Sequence, residues 1–165
     1  DKGLDYIADA LENLQQQHIP FKFFMAGTGP DEKKYVEKFV NTLKSNFQFK
    51  GIVSGNDKAN LYKLCNIFLL PSLFEGLPMA LLESMSYGMV PVVTAVGSIK
   101  DVVTNGKNGI IVKEKPAIEI ADAIKLLVND KLAMQQMGEN AAAYINQHYN
   151  PEKYISMLNK IYDAA

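Results

Sequence analysis

At 165 residues the chain is long enough for one compact domain with a sizeable core, and its 48% hydrophobic and 21% charged residues suit an ordinary globular protein. A formal net charge of -1 leaves no basic surplus for gripping nucleic acid, and a single cysteine, Cys65, excludes a disulfide framework within the chain. No apolar run approaches the roughly 20 residues that span a bilayer, and no signal peptide opens the sequence, so the expected compartment is the cytoplasm.

Asp1-Lys2-Gly3 runs directly into a helical pattern, with Leu4, Ile7, Ala8, Leu11 and Leu14 on one face, which predicts a helix over about 3–17. Starting on a helix suggests that a strand lies upstream. Pro20 stops the helix, and Phe21 to Met25 reads as a short strand. Gly27-Thr28-Gly29-Pro30 is a tight turn leading to Asp31 as a helix N-cap, and the next helix carries Tyr35, Val36, Phe39, Val40 and Leu43 inward. Phe47, Phe49 and Gly51-Ile52-Val53 form the second strand, Ser54 to Asp57 a turn and cap, and Ala59 to Leu64 a brief helix that buries Cys65 at its end as a small hydrophobe.

Ile67 to Leu70 is an apolar strand, followed by a Pro/Gly-punctuated loop from Pro71 to Pro78 and a short apolar helix ending before Gly88. Val92 to Ala95 is the next strand, Gly97-Ser98 a turn, Ile99 to Val103 a helical turn or two, and Ile110 to Val112 a last strand. Helices over about 117–128, 132–147 and the residues after Pro151 close the chain. Short apolar strands alternating with helices predict an α/β domain whose parallel sheet is covered on both faces, with no internal repeat or linker.

In such a sheet ligands bind at the carboxyl ends of the strands, which here carry Gly27-Thr28-Gly29, Val53-Ser54-Gly55, Ser72 to Pro78 and Gly97-Ser98. A helix starting near Pro78 would aim the N–H groups of Met79, Ala80 and Leu81 at this crevice, as phosphate binding requires. Glu83, eight residues after Glu75, lies among Met79, Leu81, Leu82 and Met85, where a carboxylate is costly unless paired. One turn inside the helix it suits a ribose diol, which offers two hydroxyls to a carboxylate. Each feature also has a plainer reading: an ordinary strand-end turn at Gly27 and Gly29, a favourable charge near a helix start for Glu75, and a solvated face for Glu83 or Lys2. His18 and His148 look like surface residues, and two histidines with one cysteine assemble neither a metal cluster nor a His-based triad.

The run Phe74-Glu75-Gly76-Leu77-Pro78-Met79-Ala80-Leu81-Leu82-Glu83-Ser84-Met85 resembles the E-x7-E signature of retaining glycosyltransferases of the GT-B architecture, the group 1 family. Pro71-Ser72 before it and Gly88 to Val93 after it fit the same pattern. Gly27-Thr28-Gly29-Pro30 is similar to the family's G-x-G-P turn, Gly51-Ile52-Val53 to its G-x-V segment, and Asn108 to Val112 to its N-G-x-x-V strand. The resemblance extends over almost the whole chain.

It implies a Rossmann-like three-layer α/β/α domain, the C-terminal donor-binding half of a GT-B fold, with the first strand and the acceptor-binding domain lying upstream. Residues 151–165 would be the C-terminal helix that crosses to that domain, leaving Tyr154, Met157 or Ile161 exposed without it. By the same resemblance, Glu83 would hold the ribose hydroxyls, and Glu75 would contact the transferred sugar together with the amides of Gly76 and Leu77. The amides of Met79, Ala80 and Leu81 and the side chain of Lys2 would hold the diphosphate, and the base would lie near Gly27, Gly29 and Val53. The family's partner arginine, a few residues before the lysine, lies outside this sequence. One departure is Gly97-Ser98-Ile99-Lys100-Asp101, where the family often has Gly-Gly-x-x-Glu.

The implied reaction is transfer of a hexosyl group from a UDP- or GDP-hexose to an acceptor hydroxyl with retention, without metal or other cofactor. The setting would be bacterial surface polysaccharide or glycolipid synthesis, with the full-length protein peripheral to the inner face of the membrane and this chain alone inactive. A stand-alone nucleotide-sugar-binding subunit working with a separate acceptor-binding chain is the alternative. A response-regulator-like signalling domain would need an acidic cluster at the strand ends, which Phe21–Met25 and Val92–Ala95 do not lead into.

Overall fold

The computed structural model describes residues 2–113 and 117–150, together with 155, 156, 159, 160 and 162. In chain order the elements are α1 (Leu4–Gln16), β1 (Phe23–Ala26), α2 (Glu32–Leu43), β2 (Phe47–Gly51), α3 (Gly55–Leu64), β3 (Ile67–Leu70) and α4 (Met79–Ser86). β4 (Val90–Thr94), α5 (Ile99–Val102), β5 (Ile110–Val112), α6 (Ala117–Asn129) and α7 (Lys131–His148) follow. The expected closing helix past Pro151 falls mostly outside the described residues, and Tyr154, Met157 and Ile161 are among those not described.

Every strand pairing is parallel. β1 pairs with β2, Phe23 opposite Phe47, with an irregularity between Met25 and Ala26. β4 lies between β3 and β5, with Ile67 opposite Val90 and Val92 opposite Ile110. The described strands thus form two parallel sheets rather than one, since β1 and β3 do not pair with each other. The burial follows: β4 is buried throughout, whereas β1 and β3 contain only half-buried or exposed residues.

Alternation of side chains builds a core on each face. Ile67 and Leu69, Val90 and Val92, and Ile110 and Val112 pack with α1, α2 and α6 in one apolar cluster, which Phe23, Met25 and Phe47 join from the other sheet. Phe68 and Leu70, Val93, and Ile111 pack with α4, α5 and α7 in the second. Period-two side chains with apolar residues on both faces require helices on both sides, and this gives the three-layer α/β/α arrangement. Within the first cluster Phe23, Phe39 and Phe47 pack ring against ring, with Phe23–Phe39 centroids 4.9 Å apart.

Several local expectations need correction. Strand β2 ends at Gly51, whose positive φ of 62° turns the chain, so Ile52 stands 77% exposed and Val53 lies in the loop. Ser54 and Asp31 occupy N-cap positions but make no side-chain cap bond, and residues from Gly55 onward join α3. Val40 points outward on α2. Cys65 is half-buried rather than a core residue, because α3 buries none of its side chains and leaves its end open. Among the described residues no helix is long and apolar enough to cross a membrane.

Candidate functional site

Glu75 sits in the loop that leaves β3, and three features fix it. The Ser72 hydroxyl, fully buried, donates to Glu75 Oε1 at 2.8 Å, and Lys2 Nζ reaches the same oxygen at 2.6 Å. Ser72 is held in turn through its carbonyl, which accepts from the Thr94 hydroxyl at the end of β4. The carboxylate side chain is only 9% exposed, but Lys2 is 60% exposed, so the pair contributes roughly 1 kcal/mol or less to stability. Its value is positional: a lysine and a carboxylate 73 residues apart meet at one loop.

The backbone brings them there. Gly3, with φ of 71°, packs so closely on the loop that a Cβ would lie 2.1 Å from the Pro71 carbonyl oxygen. From the turn after β4, Gly97 does the same to Glu75, and the Ser98 N–H donates to the Gly76 carbonyl at 3.1 Å. Close approach therefore falls on Gly97, and Ser98 acts through its backbone, so the serine at that position leaves the contact intact.

Glu83 is paired, as its cost demanded, but its surroundings differ from those expected. Leu81, Leu82 and Met85 turn into the core, Met79 is 65% exposed, and the Glu83 side chain stays 33% exposed on the face toward α3. Lys58 Nζ lies 2.7 Å from each carboxylate oxygen, and the Tyr62 hydroxyl donates to Oε2 at 3.0 Å. Burial and the neighbouring Glu83 charge push the Tyr62 phenol well above its usual range, and its ring stacks on Tyr87 with centroids 5.4 Å apart. Lys58 and Tyr62 escaped the sequence reading. The signal available was their spacing of four, which puts both on one face of a short helix.

The start of α4 supplies fewer free donors than expected. The Leu81 N–H turns back to the Pro78 carbonyl at 3.0 Å and its side chain is fully buried, which leaves the amides of Met79 and Ala80 as those without a helical acceptor. Gly76 and Leu77 are exposed in the loop before it. Gly27, at the end of β1, has φ of 117° and donates to the Gly51 carbonyl at 2.7 Å, while a Cβ on Gly27 or Gly29 would meet nothing. Their space is left open on the β1 side. Val53 is half-buried in the loop after β2, five residues before Lys58, whose ammonium joins α3 to Glu83 in α4. Among the described residues no group of three or more His, Cys, Asp or Glu is arranged to hold a metal ion.

The chain is 26% identical over 162 residues to an uncharacterized glycosyltransferase of Methanocaldococcus jannaschii, matching 98% of this chain and 44% of that protein. It is 28% identical over 144 residues to the alpha-D-kanosaminyltransferase of Streptomyces kanamyceticus, matching 86% of this chain and 37% of that enzyme. The chain thus spans less than half the length of these curated relatives. In fold it is similar to Anabaena HepE, solved with UDP-glucose, at a TM-score of 0.85 and 20% identity over 99% of this chain and 46% of that one. Residues 1–144 match the family model described as glycosyl transferases group 1, and the chain belongs to that family.

Proposed function

We propose that this chain is the donor-binding half of a retaining hexosyltransferase, holding a nucleotide-diphosphate hexose while an acceptor hydroxyl, bound by a second domain, attacks the anomeric carbon. The observation that carries the reading is the placement of two fixed carboxylates on either side of the α4 N-terminus, Glu75 with Lys2 and Ser72 before it and Glu83 within the helix. Glu83 takes the ribose hydroxyls, the amides of Met79 and Ala80 meet the diphosphate, and Glu75 with the Gly76 and Leu77 amides faces the sugar. Lys2 and the helix N-terminus then neutralise the charge that develops on the leaving diphosphate, without a metal ion. The base lies along Gly27, Gly29 and Val53.

Among the described residues one edge of β1 and one edge of β3 have no partner strand, which supports an upstream strand between them. Gly3 abuts Pro71 at the end of β3, so residues preceding Asp1 would run back alongside β3, and a parallel strand there would join the two sheets. Beyond it would lie the acceptor domain, and without that domain the chain binds donor and transfers nothing. The full-length enzyme would work at the inner face of the membrane on surface polysaccharide or glycolipid.

Calorimetric titration of UDP, GDP and ADP tests the reading, with UDP first because the Anabaena neighbour was solved with UDP-glucose. One of them should bind with micromolar to low millimolar Kd. A folded chain that binds none at 5 mM, taken as a working ceiling of about 3 kcal/mol of binding free energy, would sink the donor-site reading.

A further inference from the structure

Glu83 has a partner that a ribose ligand does not by itself require. Lys58 Nζ lies 2.7 Å from both of its oxygens, and Lys58 sits in the first turn of α3, where the helix dipole disfavours a cation. The two side chains are about equally exposed, 36% and 33%, so as a staple between helices the pair is worth little. Tyr62 holds the carboxylate from the side through Oε2, and its raised phenol stays protonated and able to donate at neutral pH. The group thus presents a fixed carboxylate and an ammonium side by side, both reachable by solvent.

We propose that Lys58 and Glu83 act together as a vicinal-diol site, in which a ribose hydroxyl donates to a Glu83 oxygen and accepts from the Lys58 ammonium. A hydroxyl is one donor and two acceptor lone pairs, a carboxylate only accepts, and an ammonium only donates. Glu83 alone satisfies half of each hydroxyl; the pair satisfies both halves. Lys58 keeps one N–H beyond the two directed at the Glu83 oxygens, because an ammonium has three. Charge-assisted bonds of this kind are the strong ones, and a sugar lacking the 2′-hydroxyl forfeits them on one side. The inference rests on the reading of Glu83 as the ribose ligand and adds to it a second binding residue, with a specificity for ribo- over deoxyribonucleotides.

The test is calorimetric titration of the wild-type chain, K58M and K58R with whichever of UDP, GDP and ADP binds, and with the 2′-deoxy form of the same nucleotide. The wild type should prefer the ribonucleotide by on the order of tenfold. K58M should weaken the ribonucleotide by a similar factor and the deoxynucleotide far less, so that the preference collapses, and K58R should restore part of it. Thermal midpoints report folding, and K58Q carries the same expectation if K58M fails to fold. K58M that weakens both nucleotides equally, or neither, overturns the inference while leaving the donor site standing. Failure of the folded wild type to bind any of the three nucleotides overturns the donor-site reading and this inference with it.

Discussion

The α-carbon of Gly97 faces the Glu75 carbonyl so closely that an added Cβ would lie 2.0 Å from its oxygen. Gly97 also has φ of 53°, a left-handed conformation that side chains other than glycine disfavour. Gly97→Ala would therefore push the Glu75 loop away from β4 and detach Ser72 from Thr94. We expect a loss of about 2–4 kcal/mol in chemical denaturation and a loss of nucleotide binding. Ser98→Gly keeps the backbone N–H that bonds Gly76 and should bind as the wild type does.

Glu83→Gln retains shape and exposes no core, since the carboxylate already lies on a half-exposed face. It removes the charge that Lys58 and Tyr62 address. Nucleotide affinity should fall on the order of tenfold, with stability changed by roughly 1 kcal/mol or less. Unchanged affinity in titration would remove Glu83 from the site.

Gly88 and Gly138 set how closely α4 and α7 approach: a Cβ on Gly138 would lie 2.2 Å from the Gly88 carbonyl oxygen. Gly138→Ala should lower the thermal midpoint by several degrees, on the order of 2 kcal/mol, by prising α7 from the end of α4. An unchanged midpoint would mean that α7 shifts without cost.

Stability should fall at both extremes of pH for separable reasons. The hydrogen bond from Lys38, and then that from Tyr35, hold the Asp5 carboxyl below its usual range, so this contribution is present above about pH 4 and lost as acid protonates the folded carboxylate. Asp5→Asn should flatten the acid limb of a denaturation series. Burial raises the Tyr62 phenol first and foremost, so its contribution is present below about pH 10 and lost above it. In spectrophotometric titration Tyr62 should ionise late, and Tyr62→Phe should reduce the late phase that it shares with the raised phenols of Tyr35 and Tyr144.

The elements were legible where local pattern decides them. Strands at Ile67–Leu70 and Ile110–Val112 and the helices beginning at Leu4 and Ala117 follow from apolar period and breakers alone. The approach of Lys2 to Glu75, and of Lys58 and Tyr62 to Glu83, depends on pairings 73, 25 and 21 residues apart, which no local period encodes. Resemblance assigned Lys2 and Glu75 to one site. The partners of Glu83 needed the packing of α3 on α4. Apolar neighbours in sequence suggested a deeply buried carboxylate, but those neighbours face the core while Glu83 faces α3. The break between β1 and β3 was likewise invisible, because short apolar strands look alike whether or not their edges are paired.

β4 contributes Val90 and Val92 to one core and Val93 to the other, and it is buried throughout. Neither helical layer can come away without exposing the same strand, so the two faces of the domain share one opening event. The amides of Val92 and Val93 should exchange with solvent deuterium at the rate set by global unfolding, slower than those of β1. Loops at the strand ends can then yield to a ligand while this strand remains closed.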